Sequence, residues 1–377
     1  MDSFFELGGL LYNLSLVFIG ILGINFLIAF HEFGHFLFCK LFKIKTPSFS
    51  IGFGPYLVSK KIGDTVFAIS AIPFGGYVEI AGVQEVGQGE QKHAKNSDKH
   101  SFIYKPYYQK LLVLLGGIIF NLIFAYGVFT ALFYFGVQKT MFLFPYQAQP
   151  IIASVAPDSP ADKAHLEVHD TIKALNHNPI NNNVMTFLEL LRPFADKPCP
   201  ITLTIERNGQ TQDVELDLES APEVKRQGIL GIEFELQETK GRSFFEAFKQ
   251  SLSATHTFFA ATLAAFKNMF TKKTMKGLGG PIGIIKETVK GAAQGSKIFF
   301  LLLAIISINL AVLNIFPLPI LDGGQVLFYT IEALIRRPLP EKAKMAIHYA
   351  CWLALILLAI YLSFKDIAAI VREYFLK

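Results

Sequence analysis

Four long apolar runs divide the chain, at about Leu14 to Cys39, Leu111 to Phe135, Ile298 to Leu321 and His348 to Phe364. Each approaches the ~20 residues a helix needs to cross a hydrocarbon layer, the last falling somewhat short. Between the first two runs, Ile51 to Pro55 and Ile72 to Glu79 alternate apolar with small residues around a turn at Lys60-Lys61-Ile62-Gly63-Asp64, a pattern that predicts β-hairpins. Residues 83–101 are polar and glycine-containing and predict a flexible loop. From Pro150 the pattern becomes that of a water-soluble α/β module. Strand-like Ile151–Val155, Thr171–Leu175 and Ile201–Ile205 are joined by turns, with a helix start at Asp158-Ser159-Pro160-Ala161. Phe244 to Phe270 places Phe248, Leu252, Phe259, Leu263, Phe266 and Phe270 at helical spacing, with Lys249 and Lys267 on other faces. This predicts an amphipathic helix lying on a membrane or against other helices.

Composition sharpens the picture. With 377 residues, 52% of them hydrophobic and only 17% charged, and a mean hydropathy of +0.40, the chain is too apolar for an ordinary soluble enzyme and reads as an integral membrane protein of four spans. A cleaved leader is not expected, because the first residues carry Asp2 and Glu6 rather than lysines and the apolar run is too long. The net charge of +5 is scattered through loops without a basic, aromatic-interleaved patch, which excludes nucleic acid as a partner. Cys39, Cys199 and Cys351 fit neither a disulfide framework nor a Cys-x-x-Cys metal site. Lys40, Lys43 and Lys45 follow the first span, Lys105 and Lys110 precede the second, and Arg336, Arg337, Lys342 and Lys344 separate the third from the fourth. The positive-inside rule makes these loops cytoplasmic and both termini extracytoplasmic.

The candidate chemistry lies in the first run, where His31-Glu32-Phe33-Gly34-His35 forms His-Glu-x-x-His. Histidines four apart share one helix face and can share one zinc ion, and the intervening glutamate can then polarise a metal-bound water. The same five letters occur by chance in soluble helices. Within a span, however, an acidic side chain costs on the order of 2.5–3.5 kcal/mol to insert, and such residues persist mostly where they pair, bind or catalyse. A catalytic zinc uses three protein ligands and one open position. The best third ligand is Asp322, which ends the third run in Asn314-Ile-Phe-Pro317-Leu-Pro319-Ile-Leu-Asp322-Gly323-Gly324. Pro317 and Pro319 must break the helix there, and freed backbone at membrane depth is tolerated where it lines a cavity able to hold a peptide. Taken alone, without the histidine motif, Asp322 is better read as a cap at the interface with a Gly-Gly turn.

Together, HEFGH and NIFPLPILDGG resemble the site-2 protease family of intramembrane zinc metalloproteases, in the bacterial branch that carries a PDZ domain. The resemblance runs through nearly the whole chain. It implies that His31, His35 and Asp322 bind Zn2+, that Glu32 is the catalytic base, and that Asn314, Pro317, Gly75 and Gly76 contribute to substrate binding. The hairpin region resembles a membrane-dipping β-element that offers its edge to an unwound substrate, which suits the need of extended backbone for hydrogen-bond partners.

Two departures stand out. Gly116-Gly117-Ile118-Ile119-Phe120-Asn121 resembles the family's Gly-Pro-x-x-Asn segment but lacks the proline. Val155 to Ala161 and Asp170 to Asn176 resemble a bacterial PDZ pattern, yet His165 stands at a usual glycine and Val168-His169 replaces Pro-Gly, so an altered turn is expected there. His165, His169 and His177 are read as solvated loop residues rather than a second metal site.

The expected organisation is therefore a polytopic α-helical membrane protein with a membrane-associated β-hairpin element and one extracytoplasmic PDZ domain. Residues 1–48 form the first span, 49–104 the hairpin element and loop, and 105–137 the second span. The PDZ domain covers 148–220, an amphipathic helix and connecting loop 221–297, the third span 298–324, and a cytoplasmic loop with the fourth span 325–377. The expected activity is intramembrane endoproteolysis of single-span proteins in a bacterial inner membrane, with the site on the cytoplasmic side. By resemblance, the partners besides lipid are pre-cleaved anti-sigma factors or remnant signal peptides. A non-proteolytic scaffold with a structural zinc, or a metal transporter, are the competing classes. The first would predict a damaged base or ligand and the second several intramembrane ligands along a path.

Overall fold

The computed structural model describes residues 2–83, 99–137, 143, 149–181, 183–194, 199–218, 230–235, 238–272 and 280–375. The expected polar loop lies mostly outside this set, as does Gly279. Two compact units emerge, one made of residues 1–132 with 244–377 and the other of residues 133–243.

The first unit begins with α1 (Asp2–Leu41), whose stretch Leu11–Leu41 is long and apolar enough to cross a membrane. It is followed by β1 (Ser48–Ile62) and β2 (Thr65–Val78), joined by a turn at Gly63 and Asp64. These two strands bend so that Ser48–Ile51 pairs on both sides, with Val66–Ile69 and with Gly76–Val78, while Val66–Ile69 pairs in turn with Val58–Lys61. The bends fall at glycines in the left-handed region, Gly52 (φ +86°), Gly54 (φ +89°) and Gly75 (φ +93°), where a side chain would be strained. Phe49, Val78, Ile80 and Phe102 pack with Cys39 and Ile44 at the end of α1 and with Val113 and Leu114 of α2 (Tyr107–Phe135), the second candidate span.

The second unit has a core of its own. Its elements are β3 (Ile152–Val155), α3 (Pro160–Lys163), β4 (Thr171–Leu175), β5 (Asn178–Pro179), α4 (Val184–Leu191), β6 (Pro200–Arg207), β7 (Gln210–Asp217) and β8 (Ile232–Phe234). They form a four-stranded antiparallel sheet of order β5-β4-β6-β7 and a separate β3-β8 pair. Ile172, Leu175, Phe187, Leu203 and Ile205 are fully buried between sheet and helix. Ser159 caps α3 by accepting from the Asp162 amide, with Pro160 in the first turn. The turn expected to be altered is not: His165 (φ +58°) and His169 (φ +73°) both adopt the left-handed conformation that glycine would supply. The Arg207 side chain folds over this turn, donating to both Asp170 oxygens (2.7 and 2.6 Å), to Glu167 (2.8 Å) and to the His165 carbonyl (2.8 Å). These bonds, first among them those to Asp170, push the guanidinium further above its already high range and over-determine the strained backbone.

Returning to the first unit, α5 (Phe244–Lys272) buries the small face Ala247, Ser251 and Thr255 and leaves Phe248 and Leu263 exposed. Phe266 packs on Phe316 (ring centroids 5.0 Å), and the polar seam faces α2 through Thr130 Oγ1 donating to Ser251 Oγ (2.9 Å). Next, α6 (Pro281–Ala293) starts where Gly283 N–H donates to Asp366 (2.7 Å). The candidate span α7 (Ser296–Ile315) stops six residues earlier than the apolar run, because Pro317 and Pro319 end the helix. Consequently Asp322 does not end the third span. It opens a further helix, α8 (Asp322–Ile335), in a segment expected to be a loop. The fourth candidate span, Glu341–Ala368, lies within α9 (Glu341–Phe375). The four span candidates make this a membrane-embedded protein.

Candidate metal and catalytic site

His31 and His35 sit one turn apart on α1, their Nε2 atoms 3.2 Å from each other. Asp322 reaches them from the first turn of α8, with its carboxylate oxygens 3.3 Å from His31 Nε2 and 3.5 Å from His35 Nε2. The turn that delivers it is very tight. A Cβ on Gly323 would lie 2.2 Å from the Ile315 carbonyl oxygen, and one on Gly324 would lie 2.1 Å from that of Leu318, so only glycine permits this return after Pro319.

Close approach of backbones likewise sets the position of α2. A Cβ on Gly34 would fall 2.2 Å from the Gly116 carbonyl oxygen, and one on Gly117 would fall 2.3 Å from Cε1 of His31. α2 therefore lies flush against the histidine face and supplies partners for the outer ring nitrogens. His35 Nδ1 donates to the Val113 carbonyl (2.8 Å), which leaves its Nε2 lone pair facing Asp322. His31 Nδ1 lies 3.1 Å from the Asn121 amide. Asn121 is fully buried and its Oδ1 has no hydrogen-bond partner among the described residues. Exchanging amide oxygen and nitrogen lets Oδ1 accept from His31 Nδ1–H, which frees His31 Nε2 as well. Ser307 of α7 fixes this stretch of α2 by donating to the Asn121 carbonyl (2.9 Å).

The donor set fits zinc. The three candidate ligand atoms lie within 4.8 Å of one another, all three side chains are no more than 15% exposed, and Asp322 Oδ2 is buried without a hydrogen bond among the described residues. Two facing imidazole lone pairs beside an unsatisfied carboxylate in an apolar bundle are costly unless a cation joins them.

Glu32 lines the same cavity, of about 260 Å³, together with His31, His35, Asn314, Asp322 and Val78. The Val78 amide at the end of β2 donates to Glu32 Oε2 (3.1 Å). Of the residues expected to touch substrate, Asn314 is at the site, its amide nitrogen 3.5 Å from His31 Nε2. Pro317 lies in the α7–α8 turn, and Gly75 and Gly76 lie in β2 next to the strand end that carries Val78. None of these three lines the cavity. Sequence reading gave no role to Asn121, Gly117, the Val113 carbonyl or the Val78 amide. The signal for Asn121 was present in a lone amide on an apolar span, one turn from Gly117. The two backbone groups leave no trace in residue identity.

Comparison with known proteins agrees with this geometry. The family described as Peptidase family M50 matches residues 19–358. A Campylobacter jejuni protein named as a zinc metalloprotease is 30% identical over 363 residues, covering 94% of this chain and 93% of its own. Proteins with the same name in Clostridium perfringens (28% identity, 92% and 97% covered) and Fusobacterium nucleatum (30%, 93% and 97%) align over similar lengths.

Proposed function

From membership of peptidase family M50, which makes the chain a zinc metalloendopeptidase of the site-2 type, we propose that it cuts the transmembrane segments of single-span proteins inside the bilayer. The observation that carries this reading is the position of His31, Glu32 and His35 within the span candidate Leu11–Leu41, closed by Asp322.

In this reading His31, His35 and Asp322 hold the metal. Zinc supplies a Lewis acid there and lowers the pKa of water to about 7. Glu32, on the cavity wall, takes the proton of the attacking water and returns it to the leaving amine. The Val78 amide donates to one oxygen of the Glu32 carboxylate and orients it on the cavity wall. Asn314 presents an amide to the scissile backbone from the end of α7. The strand edge Gly76–Val78 beside Glu32 accepts the unwound substrate as an added strand, because hydrocarbon offers its amides no other partners.

The finer assignments belong to the same proposal. The protein resides in a bacterial inner membrane with the site toward the cytoplasm, as the Lys and Arg placement indicates. Residues 133–243 serve as a PDZ-type filter against bulky ectodomains. The substrates are membrane proteins already shortened by another protease, such as trimmed anti-sigma factors, or remnant signal peptides. The test is to reconstitute the purified protein with single-span substrates and map the cut bonds by mass spectrometry. Cuts within the span, abolished by a zinc chelator and restored by zinc, support the reading, and cuts confined to the flanking soluble segments contradict it.

A further inference from the structure

Asn25 is an amide in the middle of the Leu11–Leu41 span, six residues before His31 and only 6% exposed. Its side-chain nitrogen donates to two carbonyls, that of Ile21 one turn earlier (2.8 Å) and that of Pro73 in β2 (2.7 Å). The second bond is the informative one. β2 pairs with β1 at Ile72, opposite Phe53, and again at Gly76, opposite Ile51. Between those positions the strand bends through Pro73, which has no N–H, and through Gly75 in the left-handed region. The Pro73 carbonyl thus sits at a break in the ladder and faces a membrane helix, where the Asn25 amide meets it.

Immediately after the bend the strand is seated closely. A Cβ on Gly76 would lie 2.8 Å from the Ser50 carbonyl oxygen and 3.8 Å from Ile28 of α1. Two residues on, the Val78 amide reaches Glu32. Asn25 and Glu32 are about 10 Å apart along the helix axis at 1.5 Å per residue, so α1 grips this strand at two points, one before the Gly76–Val78 edge and one at its end.

We infer that Asn25 is a positioning residue for substrate: it sets the depth and register of the Gly76–Val78 edge against α1. The inference rests on the proposed function for what that edge receives. Without the amide, the Pro73 carbonyl loses its donor in hydrocarbon, and the bend repacks to find one. The edge then shifts while the ligands on α1 and α8 stay in place.

The test compares full-length wild type, Asn25→Leu and Asn25→Gln. For Asn25→Leu the expected result on a single-span substrate is a KM raised about tenfold, the equivalent of 1.4 kcal/mol, with kcat within twofold, one zinc per chain and an unchanged thermal midpoint. Asn25→Gln, which keeps the donor, recovers most of the loss. A wild-type KM in Asn25→Leu overturns the inference, as does a loss that tracks zinc content or thermal midpoint. Hydrogen exchange of the amides at residues 75–78 reads the same point without cleavage. Faster exchange in Asn25→Leu than in wild type supports the inference and equal exchange overturns it. Failure of wild type to cut within spans would count against the proposed function alone.

Discussion

Where α1 meets α2, Gly34 and Gly116 bring two backbones together, and aromatic rings of Phe26, Phe30 and Phe33 pack on Phe120 and Phe124. The site histidines are held by hydrogen bonds, from His35 to Val113 and between His31 and Asn121, with Ser307 of α7 donating to Asn121. In residues 133–243 an apolar core does this, with Ile172, Leu175, Phe187, Leu203 and Ile205 removed from water behind a sheet, beside the Arg207–Asp170 network. The difference follows from the solvent. Burying a leucine against another helix gains little when lipid is the alternative, so close approach and polar pairs set the positions of the candidate ligands. In water, each buried aliphatic side chain contributes roughly 1.5–3 kcal/mol, and the core alone can carry a small domain. The site was built in the first regime, and its geometry depends on atoms other than the ligands.

The strongest way to break this contrast is to separate the glycine pair. Gly34→Val places side-chain carbons on the Gly116 carbonyl, and both proteolysis and bound zinc are expected to fall, activity by about 100-fold or more. A cleavage assay with metal analysis checks it. In residues 133–243 the corresponding weak point is the buried carboxylate Asp170. Asp170→Ala strands Arg207 and removes its hold on the His165–His169 turn, at a cost of about 3 kcal/mol. Limited proteolysis within residues 133–243 of the full chain should show it, while zinc content stays unchanged. Asn121→Ala tests the second-rank contacts of the membrane unit. Loss of the group that orients His31 is expected to weaken zinc binding roughly 10- to 100-fold by the usual cost of such partners, as read by competition with a chelator. The smallest effect is a gain. His165→Gly removes the strain of a side chain in the left-handed region without touching the core, and it should stabilise this unit by about 0.5–1 kcal/mol in thermal unfolding.

How much of this was legible beforehand varies with the kind of signal. His31, Glu32 and His35 are conspicuous because charge is expensive in an apolar run, and Asp322 because it directly follows another such run in a Leu-Asp-Gly-Gly segment. The end of the third span was misjudged for a related reason. Hydropathy runs on through Ile315 to Leu321, but Pro317 and Pro319 stop the helix, so that Asp322 starts α8. The turn at His165 and His169 was misjudged because residue identity suggested that left-handed backbone would be avoided, whereas the Arg207 network holds it. The helical periodicity of α5 is readable in the sequence, but the small polar face that meets α2 is fixed by Thr130 and Ser251, far apart in the chain. The Val113 carbonyl and Val78 amide belong to every residue alike, and only the fold selects them.

The most direct test of the account concerns Glu32. Wild type and Glu32→Gln are purified in parallel, bound zinc is counted in each, and both are given the same single-span substrate. The account predicts one zinc per chain in both proteins and cleavage only by wild type, since the amide of the variant leaves the ligands intact but cannot take a proton. Cleavage by the variant at the wild-type rate would contradict it.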